Sequence, residues 1–132
     1  MAQVNVLLVD DEFNVQKIVS GFLDRYGAEY DIPVNTKVLG DPVQGLFEVT
    51  ANGGNYDMIM LDVRLPKVTG DEIYNSLSHV SPELLDRVLF ITGFRADLDD
   101  RFPAQDLRVL DKPFRYRQLV DAIEAIVNPA PA

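Results

Sequence analysis

Five short apolar runs alternate with stretches of helical periodicity along this chain, and that alternation restricts the fold more than any other feature. The runs are Val4–Val9, Val34–Leu39, "YDMIMLD" (56–62), "VLFIT" (88–92) and "LRVLD" (107–111). Short, β-branched and mostly apolar throughout, they read as strands buried on both faces. Between the first two, Val15, Ile18, Val19, Phe22, Leu23 and Tyr26 mark one face of a helix, with Gly27 as its expected stop. Asp41-Pro42 predicts a second helix, Asp as cap and Pro at the first position, with Val43, Leu46 and Phe47 inward. A third helix is expected over 71–80 with Ile73, Leu77 and Val80 inward, followed by a connector "SPELLDR" that holds a helical turn. "ADLDDRF" makes a short fourth helix before Pro103, with a solvated face, and Leu119, Ala122, Ile123, Ile126 and Val127 line the last. Strands separated by helices require crossover connections, which are right-handed. The expectation is a doubly wound α/β fold: a five-stranded parallel sheet, order 2-1-3-4-5, flavodoxin-like, with helices on both faces.

The 132 residues suffice for one core, assigned to 1–127, with "NPAPA" (128–132) as a tail or the start of a linker. The chain has no cysteine, which excludes disulfides, thiolate metal sites and thiol nucleophiles, and its single histidine, His79, cannot make a metal cluster alone. A net charge of −9 repels nucleic-acid phosphate, so no direct nucleic-acid partner is expected. No apolar run reaches the roughly 20 residues of a membrane span; a cytoplasmic location is expected.

The polar residues at the strand ends carry the chemistry. Asp10 and Asp11 follow the first strand, Asp62 ends the third, Thr92 the fourth, and Lys112-Pro113 follows the fifth. In an open parallel sheet, ligands sit beyond the carboxyl ends of the strands near the switch in strand order. With order 2-1-3-4-5 these groups converge. Three facing carboxylates cannot all ionise comfortably without a cation. Oxygen ligands without His or Cys point to Mg²⁺, Mn²⁺ being also compatible. A lysine opposite the acids supplies charge for a phosphoryl oxygen, a threonine hydroxyl a hydrogen bond, and a carboxylate can act as the nucleophile. Glu12 is expected only to favour the first turn of the helix. Any one of these positions alone is better explained as a turn, cap or strand residue; it is their joint placement that points to a site.

"LLVDDE", "MIMLDVRLPKVTG", "VLFITG" and "LDKPF" resemble the receiver domain of two-component response regulators over about residues 4–127. The resemblance implies that Asp62 is the phosphoacceptor. It implies Mg²⁺ held by Asp10, Asp11, Asp62 and the backbone carbonyl of Arg64, with Asp10 acting through water. Thr92 and Lys112 then match the switch hydroxyl and the phosphate-binding lysine, and Lys112-Pro113 is expected to be cis. The implied partners are a histidine kinase or phosphotransfer protein, which donates the phosphoryl group, and an unidentified downstream target or output domain; a homodimer is left open. Such a domain is a switch that modifies itself, not a turnover enzyme. The chain departs from the family at Val109, which stands where an aromatic residue usually precedes the lysine by three positions. That departure keeps an alternative open, an unphosphorylated pseudo-receiver acting as a protein-interaction module. A phosphohydrolase is disfavoured because no second Asp stands two residues after Asp62. Arg64 and Phe94, two residues after the phosphoacceptor and the threonine, are bulky and neither orients water, so the phosphoryl group is expected to decay slowly.

Overall fold

The computed structural model describes residues 3–102 and 107–127. The expected 128–132 tail and Pro103 lie outside the described residues. The strands are β1 (Val4–Val9), β2 (Val34–Leu39), β3 (Met58–Asp62), β4 (Val88–Thr92) and β5 (Val109–Asp111). All neighbours pair in parallel, in the order β2-β1-β3-β4-β5. The helices are α1 (Phe13–Tyr30), α2 (Pro42–Asn52), α3 (Gly70–Val80), α4 (Arg95–Arg101) and α5 (Tyr116–Val127). Short 3₁₀ turns occupy Gly53–Asn55 and Pro82–Arg87, the second within "SPELLDR". The fifth strand is shorter than its sequence run, beginning at Val109 rather than 107.

The sheet separates two cores. On one side α1 and α5 bring Val19, Leu23, Tyr26, Leu119, Val120 and Ile123 against Val6, Leu8, Met58, Met60 and Ile91. On the other, α2, α3 and α4 bring Val49, Ile73, Tyr74, Leu77 and Leu98 against Leu7, Val9, Ile59, Leu61 and Phe90. β3 and β4 are buried along their whole length, as a strand covered on both faces requires.

Several helix expectations are corrected. Gly27 does not stop α1; the helix runs on to Tyr30, and Asp31 takes the left-handed cap conformation with φ 53°. Gly27 instead gives clearance to the returning chain, because a Cβ there would lie 2.8 Å from the Ile32 carbonyl oxygen and 3.2 Å from Val34. Ile18 is half exposed, and Val80, at the last residue of α3, is exposed; Tyr74 takes the inward place in α3. In α2 the buried residues are Pro42, Gly45 and Val49, with Leu46 half-buried against the same core as expected, while Phe47 is 65% exposed and Val43 also faces out. The cause is Gly45: a Cβ there would stand 2.5 Å from Val9 Cγ1, so the smallest residue, not the largest, lets α2 lie on β1. The Asp41 cap is present, its carboxylate accepting from the Val43 N–H at 2.9 Å.

The loop from β3 to α3 positions the first residue of α3 against the end of β3. Thr69 precedes the helix, and the Glu72 carboxylate accepts from its N–H and its hydroxyl. Gly70 N–H bonds back to the Val63 carbonyl at 3.0 Å. A Cβ on Gly70 would lie 2.2 Å from the Asp62 carbonyl oxygen. Backbone cannot yield as a side-chain tip can. Gly70→Ala is therefore expected to destabilise the fold by about 1–3 kcal/mol through displacement of the Asp62 backbone. Urea denaturation of the two proteins measures it.

Candidate functional site

Each polar group foreseen at a strand end lies at the carboxyl edge of the sheet. β1 delivers Asp10 and Asp11, its neighbour β3 delivers Asp62, and β4 and β5 deliver Thr92 and Lys112. Val9 pairs with Leu61, Asp62 with Ile91 and Thr92 with Asp111, so the four strands end nearly level. One carboxylate oxygen from each of Asp10, Asp11 and Asp62 lies within 4.8 Å of the others. Asp10 and Asp62 are buried and Asp11 is exposed.

Lys112 closes the cluster. Its ammonium is 3.1 Å from Asp10 Oδ2, 3.4 Å from Asp62 Oδ1 and 3.0 Å from Glu12 Oε1. The reading of Glu12 as a residue of the helix turn alone is corrected: its side chain makes no cap hydrogen bond and instead holds the lysine. Sequence spacing does not show this, because the partners are 100 residues apart. The Lys112-Pro113 peptide is cis, as the resemblance implies. Thr92 is buried, and its hydroxyl oxygen accepts the Phe94 N–H at 2.8 Å.

The charges are not balanced. Burial, and then the neighbouring Asp10, push the Asp62 carboxyl up to about 6; Lys112 and the Arg64 backbone amide only partly offset this. Burial also raises Asp10, against the opposing pull of the Glu12 N–H and Lys112. Burial alone would lower the Lys112 ammonium, but Asp62, Glu12 and Asp10 outweigh it and leave it raised. Asp10 Oδ1 accepts the Glu12 N–H at 2.8 Å, and the buried Oδ2 faces the Lys112 ammonium at 3.1 Å. An all-oxygen donor set of three close carboxylates facing a single ammonium fits a hard divalent cation.

Arg64 follows β3 and is exposed, its guanidinium bonded to Asp97 of α4. "ADLDDRF" is thus not simply a solvated face: Asp97 pairs with Arg64, Arg101 with Asp71, and Leu98 is buried. His79 is exposed near the end of α3. Among the described residues no helix is long and apolar enough to cross a membrane.

The family described as response regulator receiver domain matches residues 6–124 of this chain. The chain belongs to that family. A receiver domain is a phosphorylation switch rather than a turnover enzyme. Among curated relatives, the transcriptional regulatory protein CiaR of Streptococcus pneumoniae is 29% identical over 128 residues, covering 95% of this chain and 52% of its own. The chain spans about half to three-fifths of the length of the first curated relatives it matches. A response regulator receiver domain protein from Clostridium thermocellum superposes with a TM-score of 0.78 at 21% identity, over 95% of this chain and 94% of that one. The receiver domain of the sensor histidine kinase PA1611 from Pseudomonas aeruginosa, solved with a magnesium ion coordinated in its active-site cleft, gives 0.78 at 20% identity, over 96% and 98%. These two structures establish the shared fold.

The raised Asp62 carboxyl sets a sign for pH dependence. The native receiver domain binds this proton more tightly than the unfolded chain, whose carboxyl titrates near 3.8. The associated stability is therefore present below that value and is lost as pH rises toward about 6. Asp62→Asn removes the ionisation, so in chelator at pH 7 the variant is expected to be more stable by on the order of 1–3 kcal/mol. The difference should fade toward pH 4. Paired denaturation curves at several pH values measure it; equal stabilities at pH 7 would contradict the charge imbalance.

Proposed function

We propose that this receiver domain accepts a phosphoryl group on Asp62, from a phosphohistidine of a partner kinase or phosphotransfer protein, and uses it to switch a protein-interaction surface. The observation that carries the reading is Lys112 in reach of Asp62, Asp10 and Glu12 at the edge of the sheet. An Asp62 carboxylate oxygen forms the new bond to phosphorus as the bond from phosphorus to the donor nitrogen breaks. The electron pair goes to the imidazole, which takes up a proton. Lys112 meets the negative charge that gathers on the transferring oxygens, and the Thr92 hydroxyl donates to one of them. Asp10, Asp11, Asp62 and the Arg64 carbonyl would hold Mg²⁺, which when bound neutralises phosphoryl charge.

The PA1611 domain, described with magnesium in its cleft, supports this choice of ion. The partner is supported by family membership and by a match to the osmosensing histidine protein kinase SLN1 of Saccharomyces cerevisiae, 30% identical over 99 residues. An open hollow of about 260 Å³ beside Lys112, lined by Val15, Ile18, Pro113 and Phe114, leaves apolar surface next to the reacting group. Arg64 and Phe94, each two residues beyond a site residue, stack with the guanidinium 3.4 Å over the ring centre, and this bulk supports a slowly hydrolysed phosphoryl group.

Incubation with an acyl phosphate and Mg²⁺, followed by intact mass measurement, is expected to show a single phosphoryl adduct that Asp62→Asn loses. Absence of an adduct with any divalent ion would favour the unphosphorylated interaction module. Mg²⁺ alone is expected to raise Tm, since a ligand of the native state stabilises it; this gain should be lost in Asp11→Asn. Once phosphorylated, the Arg64→Asn/Phe94→Glu variant is expected to release phosphate several-fold faster than the parent. Equal or slower release would overturn the shielding role.

A further inference from the structure

The fourth helix is unusual in what holds it. It has seven residues and buries one apolar side chain, Leu98. A helix of this length has no stability of its own. Among the described residues three ion pairs tie it down, to β5, to α3 and to the loop after β3. Arg95 bonds Asp111 of β5 at 3.0 Å and also reaches the Val109 carbonyl at 3.3 Å. Arg101 bonds Asp71 of α3 at 2.6 Å. Asp97 receives two hydrogen bonds from Arg64, Nε to Oδ2 at 2.8 Å and Nη2 to Oδ1 at 3.3 Å. Only this last pair leads toward the phosphoacceptor: Arg64 lies two residues beyond Asp62 in the chain.

We propose that Arg64 is a second cationic ligand of the phosphoryl group, and that its transfer from Asp97 to that group releases α4. The inference rests on Asp62 being phosphorylated. A phosphoryl group brings about −1.5 to −2 charges and three acceptor oxygens, against a single, part-exposed carboxylate in Asp97. Guanidinium binds planar pairs of phosphoryl oxygens as readily as a carboxylate, so the exchange replaces one bidentate contact with a more strongly charged one. Phe94 serves as the pivot. Its ring lies beneath the guanidinium, and the cation–π contact can be retained as the fork turns from Asp97 toward Asp62. Its backbone N–H is already bonded to the Thr92 hydroxyl, so Thr92, Phe94 and Arg64 form one connected path from the site to α4.

This gives the domain a route from site to surface that needs no aromatic side chain on β5, where Val109 stands. The charge released on α4 is the Asp97 carboxylate, so the exposed surface changes in sign as well as in mobility.

Amide hydrogen exchange over α4, run beside intact mass on the same samples, tests the proposal. In the parent, a complete phosphoryl adduct is expected to speed exchange of the α4 amides several-fold. Asp97→Asn should already exchange fast when unphosphorylated, gain little on phosphorylation, and hold its phosphoryl group longer, because Arg64 is free to bind it. Arg64→Gln should also exchange fast in both states but lose the phosphoryl group several-fold sooner than the parent. This opposite effect on lifetime separates a phosphoryl ligand from a merely structural pair. A complete adduct with unchanged α4 exchange in the parent would overturn the release, and an unchanged lifetime in Arg64→Gln would overturn the ligand role. A failure to form any adduct would overturn the phosphoacceptor reading and this proposal with it.

Discussion

The site depends on one lysine set against three carboxylates. Asp10 and Asp62 are buried almost completely, and burial of a carboxylate without compensation is costly. Lys112 supplies the positive charge that makes the arrangement tolerable, but one ammonium cannot balance Asp10, Asp62 and Glu12 together. Burial first, and then repulsion between neighbouring carboxylates, leaves the carboxyl groups of Asp10 and Asp62 raised in spite of the lysine. A cluster of carboxylates left short of positive charge is suited to a divalent cation.

The parallel sheet makes the cluster achievable. Antiparallel strands would send alternate carboxyl ends to opposite edges. Here all strands point one way, so residues separated by as many as 102 positions along the chain meet at one rim. The close seat of Gly70 on the Asp62 carbonyl and of Gly45 on Val9 keeps the rim narrow. Both glycines act through contact distance, and neither has a positive φ. The rim is continuous with α4 through Arg64, so the chemistry at the strand ends and the least packed helix share a charged contact.

Much of this was legible in the residues. The strands, the places of Asp10, Asp11, Asp62, Thr92 and Lys112, and the Asp41 cap all follow local rules: apolar runs, turn residues and strand-end polarity. The helix faces were less legible. In α2 the apolar residues Val43 and Phe47 pointed to the wrong face, because periodicity counts hydrophobic side chains and does not register a glycine chosen for close approach. In α1 a glycine read as a stop is clearance for the next strand. Both errors have the same source: the shape of a neighbouring element decided the matter.

By itself, the sequence determined that this chain is an α/β receiver domain with acids and a lysine at the ends of its strands. Those features are local in the chain, and the parallel topology turns them into a site with few alternatives. Tertiary structure alone decided which charges touch. Glu12 became the partner of Lys112, and Arg64 the partner of Asp97, across separations of 100 and 33 residues. Long, flexible side chains reach partners that no spacing rule encodes, and charge pairing depends on distances of a few ångströms that exist only once the strands are level and the loops have closed.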